Sequence, residues 1–279
     1  MYMKGYCNNL RELSKDEVIK IAPSVLTIEG SENLSNRYSS INTLDIMEVL
    51  ALDGWFPVKT QEVCCRKDNK KGYQKHMITF QNKDYMFEER CLQANITNSH
   101  DGLSAYQFFL GMLEKVCSNG LMVGNSFDSI HLKHIGLEQS QVEQASQKML
   151  NYVPTLNNSI NSMKRIKLSL KETEIFAESA KMILYPKIEN KSDIPLENSE
   201  LLRPRRWGAQ NNNDLWSIFN RVQENSIKGR LRFYSRNAET GRLQRKSTRA
   251  IKSIDRNISV NRALWNLAEE MKKIKTITN

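Results

Sequence analysis

Long apolar runs are missing from this chain of 279 residues. No stretch approaches the about 18 uninterrupted apolar residues of a membrane-spanning helix, and the segment MYMKGYCNNLRELSKDEV lacks the continuous apolar run of a secretory signal. Cysteine is scarce too. Cys7, Cys64, Cys65, Cys91 and Cys117 form an odd set without CxxC spacing, which argues against a disulfide framework and a thiolate zinc site. With only 6 prolines and 12 glycines, no fixed-period repeat and no low-complexity tract, solenoids and disordered linkers are also unlooked for. These absences point to a compact, soluble protein with reduced thiols, expected in the cytoplasm with no membrane partner.

Acidic charge is lacking in one place only. Residues 201–279 carry 18 Lys+Arg against 6 Asp+Glu, while the first 200 carry 23 against 25. Between Lys228 and Arg256 stand ten cations (Lys228, Arg230, Arg232, Arg236, Arg242, Arg245, Lys246, Arg249, Lys252, Arg256) and two carboxylates, Glu239 and Asp255, with Phe233 and Tyr234 among them. A one-sign patch concentrates an opposite-sign polymer near itself, so a polyanion is the expected partner. The bland reading of the same run is a solvated loop. Upstream, Arg203, Arg205, Arg206 and Trp207 join three guanidiniums to an indole. Arginine can hold phosphate bidentately and an aromatic face can stack on an unpaired base, although a Trp packed into the core fits the sequence equally well.

Periodicity predicts an α+β fold: an N-terminal antiparallel β-meander with helices, followed by a helix-rich C-terminal half carrying a basic arm. Helices are expected at 14–21, capped by Ser14, and at 44–54, ended by Gly54. The β-branched and aromatic segments 55–66 and 73–81, parted by KDNKKG, read as a hairpin, and 87–97 as a third, half-buried strand. Tyr106, Phe109, Leu110 and Leu113 recur at helical spacing and predict a helix over 104–117. Residues 121–135 alternate like a returning strand. Further helices are predicted near 138–152, 171–184, 212–226 and 258–275, with the proline-bearing stretch 185–206 as connector. The expected organisation is a core domain over 1–200 and a basic helical extension over 201–279 packed on it, or one continuous domain.

Candidate chemistry is sparse. Asn98, Ser99, His100, Asp101 and Gly102 follow a predicted strand and precede the predicted helix, so their amides are candidates for a phosphate-binding turn; ordinary turn and capping chemistry accounts for the same residues. His100 and Asp101 could act as acid and base. Cys117 has no evident base partner, and it reads more simply as a small buried apolar group. His131 and His134 lack the further ligands of a zinc site, so neither metal nor cofactor is expected. Asn220, Gln223 and Asn225 could meet base edges, but a buried network holding their helix is the safer assignment.

Seven blocks in one order, GYQKHM (72–77), TNSHDGLSAYQ (97–107), CSNGL (117–121), LLRPRR (201–206), NDLWSIFNRVQEN (213–225), TRAIKSID (248–255) and NRALWNLAEEM (261–271), resemble a phage- and plasmid-borne family known as domain of unknown function nine-three-two, which includes prophage proteins of enteric bacteria. The resemblance spans nearly the whole chain and brings no catalytic residues with it. It implies an accessory protein of mobile elements. Family members tend to carry a second glycine where Arg230 follows Lys228-Gly229 here. The leading expectation is a non-enzymatic nucleic-acid-binding protein acting on single-stranded DNA, as in annealing during phage or plasmid recombination or replication, through Arg203, Arg205, Arg206, Trp207, Lys228, Arg230, Arg232, Tyr234, Arg236, Arg242, Arg245, Lys246 and Arg249. The alternatives are an interaction protein that inhibits or redirects a host defence or regulatory complex through a host protein partner, and a nuclease or other hydrolase. A homo-oligomer is compatible with each.

Overall fold

A computed structural model of the chain describes residues 11–28, 42–65, 71–86, 90–101, 104–114, 130–132, 138–189, 194–205, 212–237 and 239–277. The fold is α+β. It divides into two compact units, Met1–Val153 and Pro154–Asn279. Among the described residues no helix is long and apolar enough to cross a membrane.

The first unit is built on five antiparallel strands in sequential order: β1 (Trp55–Glu62), β2 (His76–Met86), β3 (Arg90–Asn98), β4 (Tyr106–Glu114) and β5 (Ile130–Leu132). Two helices precede them, α1 (Lys15–Ile21) and α2 (Thr43–Leu52). Helix α1 starts in a capping box: Ser14 Oγ accepts from Glu17 N while the Glu17 carboxylate accepts from Ser14 N, which pairs two otherwise orphaned donors. Asn42 caps α2 by accepting from Leu44 N through its side-chain oxygen. Gly54, at φ +79°, makes the turn from α2 into β1 that a side chain would strain.

The predicted hairpin and third strand are present, although the third is buried on both faces and not half-buried. The helix predicted over 104–117 is not, because Tyr106–Glu114 forms β4 between β3 and β5. Tyr106, Phe108, Phe109, Leu110, Met112 and Leu113 are all buried, so apolar residues occupy both faces of this strand. An interior strand covered on both sides loses the two-residue alternation and can mimic helical spacing. Of the return strand predicted over 121–135, the described part is β5. The bulge at Val58, where pairing steps from Pro57 opposite Phe80 to Lys59 opposite Thr79, is the local irregularity that an extra residue imposes on a ladder.

Helix α3 (Gln139–Arg165) carries the chain from the first unit into the second. The sequence predicts its end near 152, before Pro154, yet the helix continues through the proline. Its buried residues Val142, Ala145, Met149, Val153, Leu156, Ile160 and Met163 keep three- and four-residue steps on both sides of Pro154. That stripe of burial outweighs the one backbone hydrogen bond a proline removes.

The second unit continues with α4 (Leu170–Leu184), α5 (Asn198–Leu202), α6 (Leu215–Lys228), strands β6 (Arg232–Arg236) and β7 (Leu243–Ser247), and α7 (Ile254–Ile277). Its core is aromatic. Trp216 stacks on Phe219 at 5.5 Å between centroids, and Trp265 of α7 meets both edge-on at 6.5 and 5.9 Å, the arrangement ring quadrupoles favour. Gln223 of α6 donates to Asn261 of α7 across 2.7 Å inside this core, Asn220 donates to Trp216 O and Asn225 to Leu201 O. The three amides are therefore a buried network that fixes the helices.

Candidate nucleic-acid interface

Strands β6 and β7 form a separate two-stranded ribbon. Its base is tightly fixed. Helix α6 ends at Gly229, with φ +60° and ψ −144°, and Arg230 follows at φ +59°. A Cβ at Gly229 would lie 2.5 Å from the carbonyl carbon and oxygen of Arg249, so the returning chain crosses where only glycine fits. Arg230 occupies the left-handed region without that freedom. Its strain is held by a short ladder: Arg230 N donates to Thr248 O at 2.8 Å, Thr248 N to Leu231 O at 2.9 Å, and Ile251 N to Ile227 O at 2.9 Å. Arg205 completes the anchor by donating to Asn225 Oδ1 at 2.6 Å and to the Gly229 carbonyl, and Glu200 accepts from Arg232 N at 2.7 Å.

At the far end the chain reverses between Asn237 and Arg242. Asn237 Oδ1 accepts from Glu239 N and Thr240 N at 2.8 and 2.9 Å, an Asx turn of the kind that commits a short polar segment to a tight reversal.

The pairing register sorts the ribbon's side chains. Arg232 lies opposite Ser247, Tyr234 opposite Arg245, and Arg236 opposite Leu243, and cross-strand partners share a face. One face therefore carries three guanidiniums around a tyrosine. The other carries Phe233 opposite Lys246 and Ser235 opposite Gln244. All of β7, and Arg232, Tyr234 and Arg236 of β6, are exposed, with Tyr234 at 61%. Strands that bury neither face gain little from apolar contact, so the charge and the exposed ring are not explained by packing. Among the described residues Arg232, Arg236, Arg242, Arg245, Lys246 and Arg249 form no ion pair.

Other predicted cations have structural duties. Lys228 pairs with Glu224 one turn back, Arg203 lies 3.5 Å from Glu200, and Arg256 donates to the last carbonyls of α4, Ile183 O and Leu184 O, at 2.9 and 2.8 Å, where a cation also suits the helix dipole. Arg205, partly buried, serves as the ribbon's anchor. Arg206 and Trp207 lie outside the described residues, as do Cys117, His134 and Gly102.

The turn Asn98–Asp101 is corrected in kind. No helix begins after it, since β4 follows, and the helix N-terminal amides that motivated a phosphate site are not there. His100 is fully buried, with Asn98 Nδ2 at 3.1 Å from its Nε2, and Ser99 Oγ donates to Asp101 Oδ1 at 2.6 Å. The partner of this turn is not among the residues expected to act. His76, also fully buried, lies 6.1 Å from His100 between ring centroids. Its Nδ1 is 2.8 Å from Ser24 Oγ and its Nε2 3.0 Å from Thr43 Oγ1, which in turn lies 3.3 Å from the Tyr106 hydroxyl. Burial first, and the charge of His100 second, push His76 down to about 3, so the ring is neutral at physiological pH and binds two hydroxyls as donor and acceptor. The available signal was that His76, His100 and Tyr106 all fall in GYQKHM and TNSHDGLSAYQ, two of the blocks of the resemblance.

Comparison with known proteins agrees with that resemblance. The family model described as "Domain of unknown function (DUF932)" matches residues 32–265. The chain is similar to UPF0380 protein YfjQ of Escherichia coli (strain K12), 32% identical over 94% of this chain and 92% of that protein. It is also similar to UPF0380 protein YafZ of the same organism, 31% identical over the same shares. No solved structure matches. With the family model covering most of the chain and both relatives aligned almost end to end, the chain belongs to the DUF932 family.

Proposed function

We propose that this protein binds nucleic acid through the β6–β7 ribbon, with single-stranded DNA as the preferred partner, in the cytoplasm and in the service of recombination or replication of a phage or plasmid. The observation that carries the reading is the ribbon face on which Arg232, Arg236 and Arg245 surround the exposed Tyr234. Guanidiniums neutralise phosphates without regard to sequence, and an exposed phenol between them offers a platform on which an unpaired base stacks. A duplex keeps its bases stacked on one another, so the tyrosine gives the single strand its advantage. Cys64 is a free thiol, in keeping with a reducing compartment.

Fluorescence anisotropy with single-stranded and duplex DNA of one sequence tests the reading. Tyr234→Ala should weaken single-strand binding by about 1–3 kcal/mol, the usual loss of one stacked base, and leave duplex binding nearly unchanged. Equal losses on both substrates would remove the stacking role. Absence of binding to either would remove the function and favour an acidic protein as the ribbon's partner.

A further inference from the structure

The exposed face of the ribbon carries an apolar side chain that neither charge nor packing accounts for. Leu243 is as exposed as Tyr234, at 61%. It lies opposite Arg236, and the next pair on the same face is Tyr234 opposite Arg245. Residues two apart on a strand point the same way, and cross-strand partners share a face. The four side chains therefore stand at the corners of a square. Tyr234 and Leu243 occupy one diagonal, Arg236 and Arg245 the other.

A single exposed leucine needs no explanation. This one belongs to a pattern in which apolar groups alternate with cations. Among the described residues neither Arg236 nor Arg245 forms an ion pair, and Arg236 Nη1 reaches Gly241 O at 3.4 Å, a long contact that leaves the guanidinium available. The face holds Arg232, Tyr234, Arg236, Leu243, Arg245 and Ser247, with no carboxylate to relieve the repulsion between its cations. Dimensions narrow the choice of ligand. Diagonal neighbours on an antiparallel pair stand about 7–8 Å apart, and strand side chains rise roughly perpendicular to the sheet. A base in contact on both of its faces fills two stacking steps of about 3.4 Å each, or about 7 Å. The apolar diagonal thus has the width of one inserted base. The crossing diagonal sets a guanidinium on either side of it, where the two phosphates of that nucleotide run.

A second copy of this ribbon would set cation against cation and repel. An anionic lipid surface would meet two apolar side chains here, against the broad apolar face of an interfacial helix. We propose that Tyr234 and Leu243 grip one unpaired base between them, the ring on one side and the isobutyl group on the other, while Arg236 and Arg245 meet the phosphates that flank it. The inference rests on the function proposed above, since it requires the ribbon to bind a single strand, and it deepens it in two ways. Leu243, an uncharged residue, becomes a binding residue. The recognised unit becomes one nucleotide with both of its phosphates, and a bare polyanion lacks half of it. A base held in a duplex cannot enter the slot, because its faces are already stacked on its neighbours.

Fluorescence anisotropy of the full chain tests it with two probes of equal length: oligo-dT, and an abasic oligomer that keeps the phosphates and lacks the bases. Leu243→Ala should weaken oligo-dT binding about fivefold or more, the low end of the loss for one stacked base, and leave abasic binding unchanged. Leu243→Met should recover most of the affinity. Tyr234→Ala and Leu243→Ala open the same slot, so their effects should couple: the double variant should lose less than the product of the two single losses. The urea midpoint of Leu243→Ala should match wild type, because the side chain is exposed. The inference is overturned if Leu243→Ala binds oligo-dT like wild type, if it loses the abasic oligomer equally, or if the double variant loses the full product, which would place the two residues on separate bases. A lowered midpoint with weaker binding of both probes would show a structural role and overturn it too. A wild-type chain that binds neither probe removes the ribbon's function together with this inference. A chain weakened by Tyr234→Ala but not by Leu243→Ala removes this inference alone. Binding to phosphatidylglycerol vesicles that depends on Leu243, with no binding to oligo-dT, would assign the face to a lipid surface and overturn both.

Discussion

Acid should destabilise the first unit well before its carboxylates are exhausted, and His76 is the reason. The ring is fully buried, its two nitrogens are held by Ser24 and Thr43, and its pKa falls from 6.5 to about 3, chiefly by burial. Above pH 6.5 the ring is neutral in both folded and unfolded chains and stability does not depend on it. Below that value the unfolded chain takes up a proton that the folded chain refuses, so stability falls as pH falls, down to about pH 3. Each pH unit in this window costs about 1.4 kcal/mol, which gives about 2 kcal/mol by pH 5 and about 5 kcal/mol over the whole window. Against a typical stability of roughly 5–15 kcal/mol, the loss at pH 5 is readily measured. The assay is urea unfolding followed by tryptophan fluorescence between pH 7.5 and 4.5, in wild type and His76→Gln. The variant should be weaker at pH 7.5, having lost one of two hydroxyl bonds, but its midpoint should fall less steeply, because carboxylate contributions common to both chains cancel in the comparison. Parallel pH profiles would refute the reasoning.

The ribbon's base gives two more expectations. Gly229→Ala forces a methyl against the Arg249 backbone at a left-handed φ and should lower stability by about 2 kcal/mol or more, whereas Gly241→Ala, also left-handed but with nothing within 4 Å, should cost about 1 kcal/mol; thermal melts of the pair check the contrast. Arg205→Lys keeps the charge but cannot reach Asn225 and Gly229 together, so amide exchange at Arg232–Arg236 should speed up, with a loss of about 1.5–3 kcal/mol in local stability.

Strands β1 to β3 were legible in the sequence by their β-branched and aromatic content, and helices α1, α2, α4, α6 and α7 by apolar spacing and by caps such as Ser14. Strand β4 was not, since Tyr106, Phe108, Leu110 and Met112 face one side while Phe109 and Leu113 fill the other, and the resulting solid run satisfies a helical template as well as an extended one. The length of α3 was hidden by treating Pro154 as a stop, although Leu156, Ile160 and Met163 continue the stripe beyond it. The basic run was visible as charge, but its division between anchor and surface was not. Arg205 and Arg256 are as cationic as Arg245 in the sequence, and only backbone carbonyls brought from far along the chain show that they are occupied. The meeting of His76 with His100, and of Tyr234 with Leu243, depends on strand register, which composition does not encode.

The central claim is that the ribbon's cations neutralise phosphates, and the salt dependence of binding measures this directly. If Arg232, Arg236, Arg242, Arg245, Lys246 and Arg249 each engage one phosphate of a single strand, log K should fall against log salt with a slope of about −4. That slope is an affinity loss of about 300-fold between 50 and 200 mM salt. Changing Arg232, Arg236 and Arg245 to Gln should reduce the slope to about −2, a loss of about 20-fold over the same range. A wild-type slope near zero, or a slope unaltered in the triple variant, would contradict the account.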